Sequence, residues 1–253
     1  MALDDALLKD THAELAAEFP AVSFRAVGCN LGAPGASYVN TVHAATSDID
    51  VQLVFLNAGY MLTGLYEATA LAAQAANLEC NAVSAASLAH VFLGRMVGAG
   101  KGGCIVLTSS AAAAVASPYT VMYAATKAFI SSFGASLAVE ARHRGVDVLV
   151  FHPSPVASRF YDRADRMSVL DFFKGVAVSP DALPGVVFGA VGRTVWRDVG
   201  LTAFAFRIMM KVVDFNFMAL AASRAAPSTA DFKAAVALAD ERRARRTGSA
   251  KDR

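Results

Sequence analysis

The chain has 253 residues, 55% of them apolar and only 17% charged, with a mean hydropathy of +0.43. That length can bury the core of one α/β domain, and the apolar excess asks for a buried parallel sheet, a large interface or a membrane contact. A net charge of +2 gives no reason to propose nucleic acid, and Cys29, Cys80, Cys104 and five scattered histidines show no metal or redox spacing, so no metal site and free thiols in a reducing compartment are expected.

Asp4 and Asp5 stand where a basic-then-apolar leader would be, so the N-terminus does not read as a secretory signal. Residues 3–18 read as an amphipathic helix capped by Asp4 or Asp5, with Leu7, Leu8 and Leu15 near one face and Pro20 beyond its end. Val22 to Val27 reads as a strand, and Gly28 to Gly35 leads into a helix ending near Ala45. Gly28, Gly32 and Gly35 lie between strand and helix, as in a phosphate-cradling turn. Only 29 residues separate Gly28 from Asn57, room for one strand–helix step, and the phosphate reading is set aside.

Val51 to Leu56 is an apolar strand ending in Asn57-Ala58-Gly59, where small residues let a ligand approach the backbone. Residues 67–97 form a long helix with a polar break at Asn77, Glu79 and Asn81, and Cys104 to Leu107 is a strand ending in Thr108-Ser109-Ser110. The next helix spans about 119–144, with Phe129, Ile130, Phe133 and Leu137 as an apolar face, and Gly145 stops it. Val146 to Phe151 is a strand running into His152-Pro153-Ser154-Pro155-Val156-Ala157-Ser158. The stretch 159–178 mixes Arg159, Phe160, Tyr161, Met167, Phe172 and Phe173. Ser179-Pro180-Asp181 opens a helix to about Gly192, and Thr194 to Trp196 is the last strand.

Residues 201–222 read as one apolar helix with Arg207, Lys211 and Asp214 on a narrow face. Such a helix lies in a membrane surface, roofs a lipid-sized pocket, or packs as a core or interface helix. A short helix at about 229–244 and a basic end (Arg242, Arg243, Arg245, Arg246) read as a solvated terminus with some affinity for anionic lipid.

Tyr123 and Lys127 are four residues apart, which on a helix puts both side chains on one face. An ammonium one turn away favours a phenolate, so the pair is suited to proton transfer near neutral pH. Ser110 lies 13 residues upstream at the end of a buried strand, where a hydroxyl can polarise a carbonyl that the tyrosine protonates.

Ser110, Tyr123 and Lys127 at these spacings, together with Asn81, resemble the short-chain dehydrogenase/reductase family. The resemblance runs from the start of the chain to about residue 200. It implies a Rossmann-like doubly wound parallel sheet with helices on both faces, N-terminally incomplete, over 1–225, followed by a C-terminal helix and basic tail over 226–253. The activity implied is hydride transfer between a nicotinamide dinucleotide, NADP ahead of NAD, and a small-molecule carbonyl or alcohol. Tyr123 would give or take the proton, Lys127 would lower the tyrosine pKa and hold the nicotinamide ribose, Ser110 would orient the substrate oxygen, and Asn81 would link the relay to water.

By the same resemblance, Asn30-Leu31 stands at the Asp-plus-aliphatic position that meets the adenine. Asn57-Ala58-Gly59 keeps three residues of the Asn-Asn-Ala-Gly motif, with Leu56 in place of the first. Pro153 to Ser158 resembles the Pro-Gly-x-Val-x-Thr nicotinamide loop. Val156 is kept, Ser158 supplies a hydroxyl for the carboxamide, and Ser154 replaces a glycine, a strained choice if that position takes a positive φ. Residues 159–178 correspond to the substrate-covering loop, and the Tyr–Lys helix to one that packs on its mate in a homo-dimer or tetramer. The apolar composition points to a fatty-acyl, steroid or retinoid ketone and so to lipid metabolism, in a cytoplasmic protein with peripheral membrane contact through 201–222. The rival reading is a non-catalytic scaffold or dimerisation protein that has lost dinucleotide binding.

Members of the family open with a strand, a Gly-rich turn, a helix and a second strand, and nothing before Asp4 supplies that unit. Strand 51–56 would then have an unpaired edge. Either the sequence is part of a longer protein, or strand 22–27 slides over to pair with 51–56, or the dinucleotide has been abandoned; the first is the expectation.

Overall fold

The computed structural model describes residues 1–162, 164–165 and 167–251, and leaves aside the side chains of Leu170, Phe173 and 245–251. Phe173, Arg245 and Arg246, singled out above, therefore fall outside the described side chains.

Four strands, β1 (Leu53–Leu56), β2 (Gly103–Thr108), β3 (Val146–Pro153) and β4 (Trp196–Val199), pair in parallel in that order. The register sets Val54 beside Ile105, Ile105 beside Val148 and Val150 beside Trp196. Side chains alternate between the two faces, so each strand feeds two cores. On one face Val54, Leu56, Ile105, Leu107, Val148 and Val150 meet α2 (Ser37–Ala45), α4 (Ser84–Ala99) and α5 (Val121–Ala141) through Tyr38, Val42, Leu88, Phe92, Met96 and Ile130. On the other, Cys104, Val106, Leu149 and Phe151 meet Val187 and Ala190. Those two belong to α7 (Ala182–Ala190), which follows α6 (Ser168–Lys174). Both faces of the sheet carry helices, and the two inner strands β2 and β3 are correspondingly the most apolar and most buried.

The expected strand at 22–27 does not form. The segment's backbone has no ladder partner among the described residues: the nearby pairing is an isolated bridge between Ala2 and Gly28. A strand needs a neighbour for its amide groups, and β-propensity alone does not supply one. Arg25 instead pairs with Asp48 at 2.6 and 2.8 Å, and the preceding α1 (Ala6–Glu18), capped by Asp5, buries no residue. Segment 22–27 therefore has not slid over to β1. The outer edge of β1 pairs with no described strand, and Leu53 and Phe55 are 39% and 44% exposed, Phe55 resting edge-on against Phe188.

The long helix expected over 67–97 spans α3 (Leu71–Leu78), one π-turn (Glu79–Val83) and α4. By length and composition Leu71–Ala99 could cross a membrane, but Asn77, Asn81, Leu88 and Phe92 are buried inside the fold. The apolar helix expected over 201–222 is two helices, α8 (Leu201–Val212) and α9 (Phe215–Ala225). Val213 and Asp214 leave the helical region, and the Asp214 carboxylate accepts the Phe217 N–H at 2.9 Å as the cap of α9. Aspartate is far better as a cap than inside a helix, so the chain breaks there. Asp214 consequently leaves the face on which Arg207 and Lys211, four residues apart in α8, remain, and Arg207 turns to Asp198 at 2.6 Å. The last helix, α10 (Ala230–Lys251), is longer than the sequence suggested.

Candidate active site

β2 and β3 deliver their last residues to one end of the sheet, where an open cleft of about 730 Å³ is lined by Thr108, Ser110, Phe151, Pro153, Val156 and Ser158. α5 adds Tyr123 and Lys127 from one face, as the four-residue spacing requires. α5 lies close on the sheet because of Gly134: a Cβ there would come within 2.6 Å of Leu107 Cδ1 and would also strike Val150. Asn57 and Gly59 reach the cleft from the end of β1. α8 and α9 close over it with Phe206, Met209, Met218 and Ala222.

Lys127 is 4% exposed, and its Nζ donates to the Thr108 carbonyl at 2.8 Å. Burial pulls the ammonium down to about 8, partly opposed by the Cys80 thiol. Tyr123 is 7% exposed, with its ring 5.7 Å from Lys127 Nζ. Burial pushes the phenol well above its ordinary value, and a hydrogen bond with Ser110 pulls it part of the way back. Desolvation is the leading cause of the rise, and the Lys127 ammonium donates to a backbone carbonyl. In this arrangement the phenol carries its proton and is a donor.

Asn81 sits in the π-turn between α3 and α4, a local widening that often marks functional positions. Its amide oxygen accepts the Tyr60 N–H at 3.0 Å, and its Nδ2 donates to the Tyr60 carbonyl at 2.9 Å, which Asn77 Nδ2 also reaches at 2.9 Å. The two buried amides thus fix the turn Asn57-Ala58-Gly59-Tyr60 against the site. A Cβ on Gly59 would stand 3.1 Å from Asn81 Oδ1, a tight contact, and 3.5 Å from Lys127 Nζ, an ordinary one, so a side chain here would crowd the Asn81 amide. Asn57 accepts the Thr108 hydroxyl at 2.8 Å, and Ala58 is exposed beside it.

Ser154 has ordinary backbone geometry: among the described residues, the non-glycine positions with positive φ are Ala36 and Tyr119. The serine is buried, its hydroxyl accepting the Ala203 N–H at 3.0 Å, so it anchors α8 to β3. Asn30 and Leu31 stand apart from the cleft lining. Asn30 Oδ1 is taken by the Gly32 N–H at 2.9 Å, and Leu31 is packed in the core.

A buried chain behind Lys127 was not visible in the sequence. Ser109 and Ser131 both donate within 2.9 Å of the Lys127 carbonyl, their hydroxyls are 2.7 Å apart, and Ser131 meets His152 Nε2 at 2.9 Å. His152 stacks on Trp196 with ring centroids 3.8 Å apart, and burial pulls the imidazole down to about 3, so it stays neutral. The partners are about twenty residues apart on three elements, and no local pattern marks them.

A Rossmann-like parallel sheet with a cleft at the carboxyl ends of its strands defines an α/β protein of the dinucleotide-binding architecture. This chain belongs to the short chain dehydrogenase family, whose model matches residues 2–168. The uncharacterized oxidoreductase YbbO of Escherichia coli (strain K12) is 30% identical over 113 residues, 45% of this chain and 42% of that protein. The match thus spans less than half the length of that relative. Among solved structures, a 7beta-hydroxysteroid dehydrogenase superposes with a TM-score of 0.72 at 21% identity, over 83% of this chain and 80% of that one. A short chain dehydrogenase/reductase from Burkholderia phymatum in complex with NAD gives 0.70 at 21%, over 83% and 81%. A short-chain dehydrogenase from Sphingobium yanoikuyae in complex with NADPH gives 0.69 at 20%, over 83% and 84%. At these identities the structural likeness speaks for the fold alone.

Proposed function

We propose that the protein is an oxidoreductase that transfers a hydride between a nicotinamide dinucleotide and an apolar ketone or its alcohol. The observation that carries this reading is the convergence of Ser110, Tyr123 and Lys127 at one end of an otherwise apolar cleft. The residues suit the nicotinamide end of such a cofactor: Gly59 carries no side chain beside Lys127 Nζ, and Pro153, Val156 and Ser158 line the same cleft. The bound dinucleotide would supply or accept the hydride. In the reducing direction the protonated Tyr123 gives its proton to the substrate oxygen, which the Ser110 hydroxyl also orients. Lys127 then stabilises the phenolate left behind, a charge worth more in a site shielded from water. Tyr119, Phe160, Met167 and the α8–α9 roof supply the apolar wall that favours a bulky ketone such as a steroid or fatty-acyl derivative. What favours this reading over a non-catalytic scaffold is that Lys127 is buried beside Tyr123 in the wall of the cleft that Ser110 also lines.

Titration of the purified chain with NADPH and NADH, followed by nicotinamide fluorescence, tests the cofactor. Reduction of a panel of apolar ketones then tests the reaction. Tyr123→Phe should lower kcat by about 10²–10⁴-fold while cofactor affinity stays within a few-fold. A Tyr123→Phe protein as active as the wild type would refute the assignment.

A further inference from the structure

The first turn of α6 is capped from another helix. The Asp231 carboxylate, in the first turn of α10, accepts the Ser168 N–H at 2.8 Å, the Ser168 hydroxyl at 2.8 Å and the Val169 N–H at 3.1 Å. Those backbone donors are among the ones a helix start leaves unpaired, and a cap is normally found just before the helix rather than 62 or 63 residues after it. The hydrogen bond from the Ser168 backbone holds the Asp231 carboxyl below its ordinary range, so the cap is ionised at neutral pH. Eleven residues along α10, about 16 Å at the helical rise, Arg242 Nη2 reaches both oxygens of Asp165 at 3.0 and 3.3 Å. Asp165 also accepts the Thr63 hydroxyl at 3.0 Å and gives its N–H to Thr63 Oγ1 at 2.8 Å. α10 therefore grips the cleft cover at two points, with Met167 and Val169, which line the cleft as Asp231 itself does, at and beside the start of α6. With only seven residues, α6 depends on such tertiary contacts to hold its place.

We propose that Asp231 and Arg242 are positioning residues, through which the C-terminal helix sets where α6 stands over the cleft and so which bulky apolar substrates are held. Asp231 is the principal grip, because its carboxylate takes up two backbone donors that the start of α6 would otherwise leave unpaired, whereas the Arg242–Asp165 pair joins two side chains.

Hydrogen exchange on the whole chain decides this without any substrate. Asp231→Ala should speed exchange across 168–174 about tenfold, the scale of a lost helix cap, and leave α5 unchanged. Asp231→Asn, whose amide oxygen still accepts, should fall between that and the wild type. Arg242→Met should show a smaller effect, and Lys233→Ala, exposed on the same helix, none. Unchanged exchange across 168–174 in Asp231→Ala, or an equal rise in α5, would overturn the proposal. A second arm rests on the oxidoreductase reading: Asp231→Ala should raise KM several-fold for a polycyclic ketone and little for cyclohexanone, and an equal rise for both would count against it. A wild-type protein without turnover would defeat that reading and leave the exchange result to decide this one.

Discussion

Lys127 has its Nζ on the Thr108 carbonyl, and no carboxylate approaches it within ion-pair distance among the described residues. Its value in the folded protein, about 8, lies below the ordinary 10.5. Between those two values the unfolded chain binds more protons than the folded one, so this residue makes stability rise with pH, and its burial cost is fully felt below 8. Burial of Tyr123 and Cys104 acts with the opposite sign above pH 10 and 9, where the unfolded chain would release protons that the fold retains. The informative comparison is therefore wild type against Lys127→Met. The variant should be more stable by on the order of 3 kcal/mol below pH 8, and the gap should close as pH approaches 10.5. Denaturant titrations at several pH values measure it, and a gap independent of pH would show that the lysine does not titrate in this window. At this scale the sequence was informative about Ser110, Tyr123 and Lys127, whose types and spacing are local. It was silent about Ser109, Ser131 and His152, which meet only because the ends of β2 and β3 lie against the middle of α5.

α5 shows why one helix could be read so nearly to its ends. It contains no proline, Phe129, Ile130, Phe133 and Leu137 recur at helical spacing, and Gly145, with φ 78, stops the chain beyond it. The feature that presses this helix onto the sheet, Gly134, looks in the sequence like a weak point of the helix. In the structure it is where Val150 and Leu107 occupy the space of a side chain. Gly134→Val should cost roughly 1–3 kcal/mol by overpacking, read as a lower urea midpoint, and it should displace Tyr123 and Lys127 with the helix. Stability equal to the wild type would mean that α5 has slack there. Two other elements were misread for tertiary reasons. Residues 22–27 have strand composition without a neighbour to bond, and residues 201–222 have helix composition with a better use for Asp214 as a cap.

On the scale of the whole molecule, α5 keeps an apolar outer strip. Val139 is 81% exposed, and Phe129, 45% exposed, stacks on Phe133 at 5.7 Å. That strip is the surface through which we expect two copies to associate, and Val139→Glu should shift a dimer toward monomer in light scattering at micromolar concentration. A wild-type monomer would remove the expectation. The outward sides of α8 and α9 are also apolar, with Leu201, Val212 and Phe217 largely exposed, while their inner residues roof the cleft. By itself the sequence determined the α/β class, the alternation of buried strands and helices, and the chemistry gathered in Ser110, Tyr123 and Lys127, because each depends on periodicity or short spacing. Tertiary structure alone decided the protonation of Tyr123, the structural use of Asn81 and Ser154, the break at Asp214 and the grip of α10 on α6. These depend on burial and on partners distant in sequence, and desolvation and long-range hydrogen bonds exist only once the chain has closed on itself.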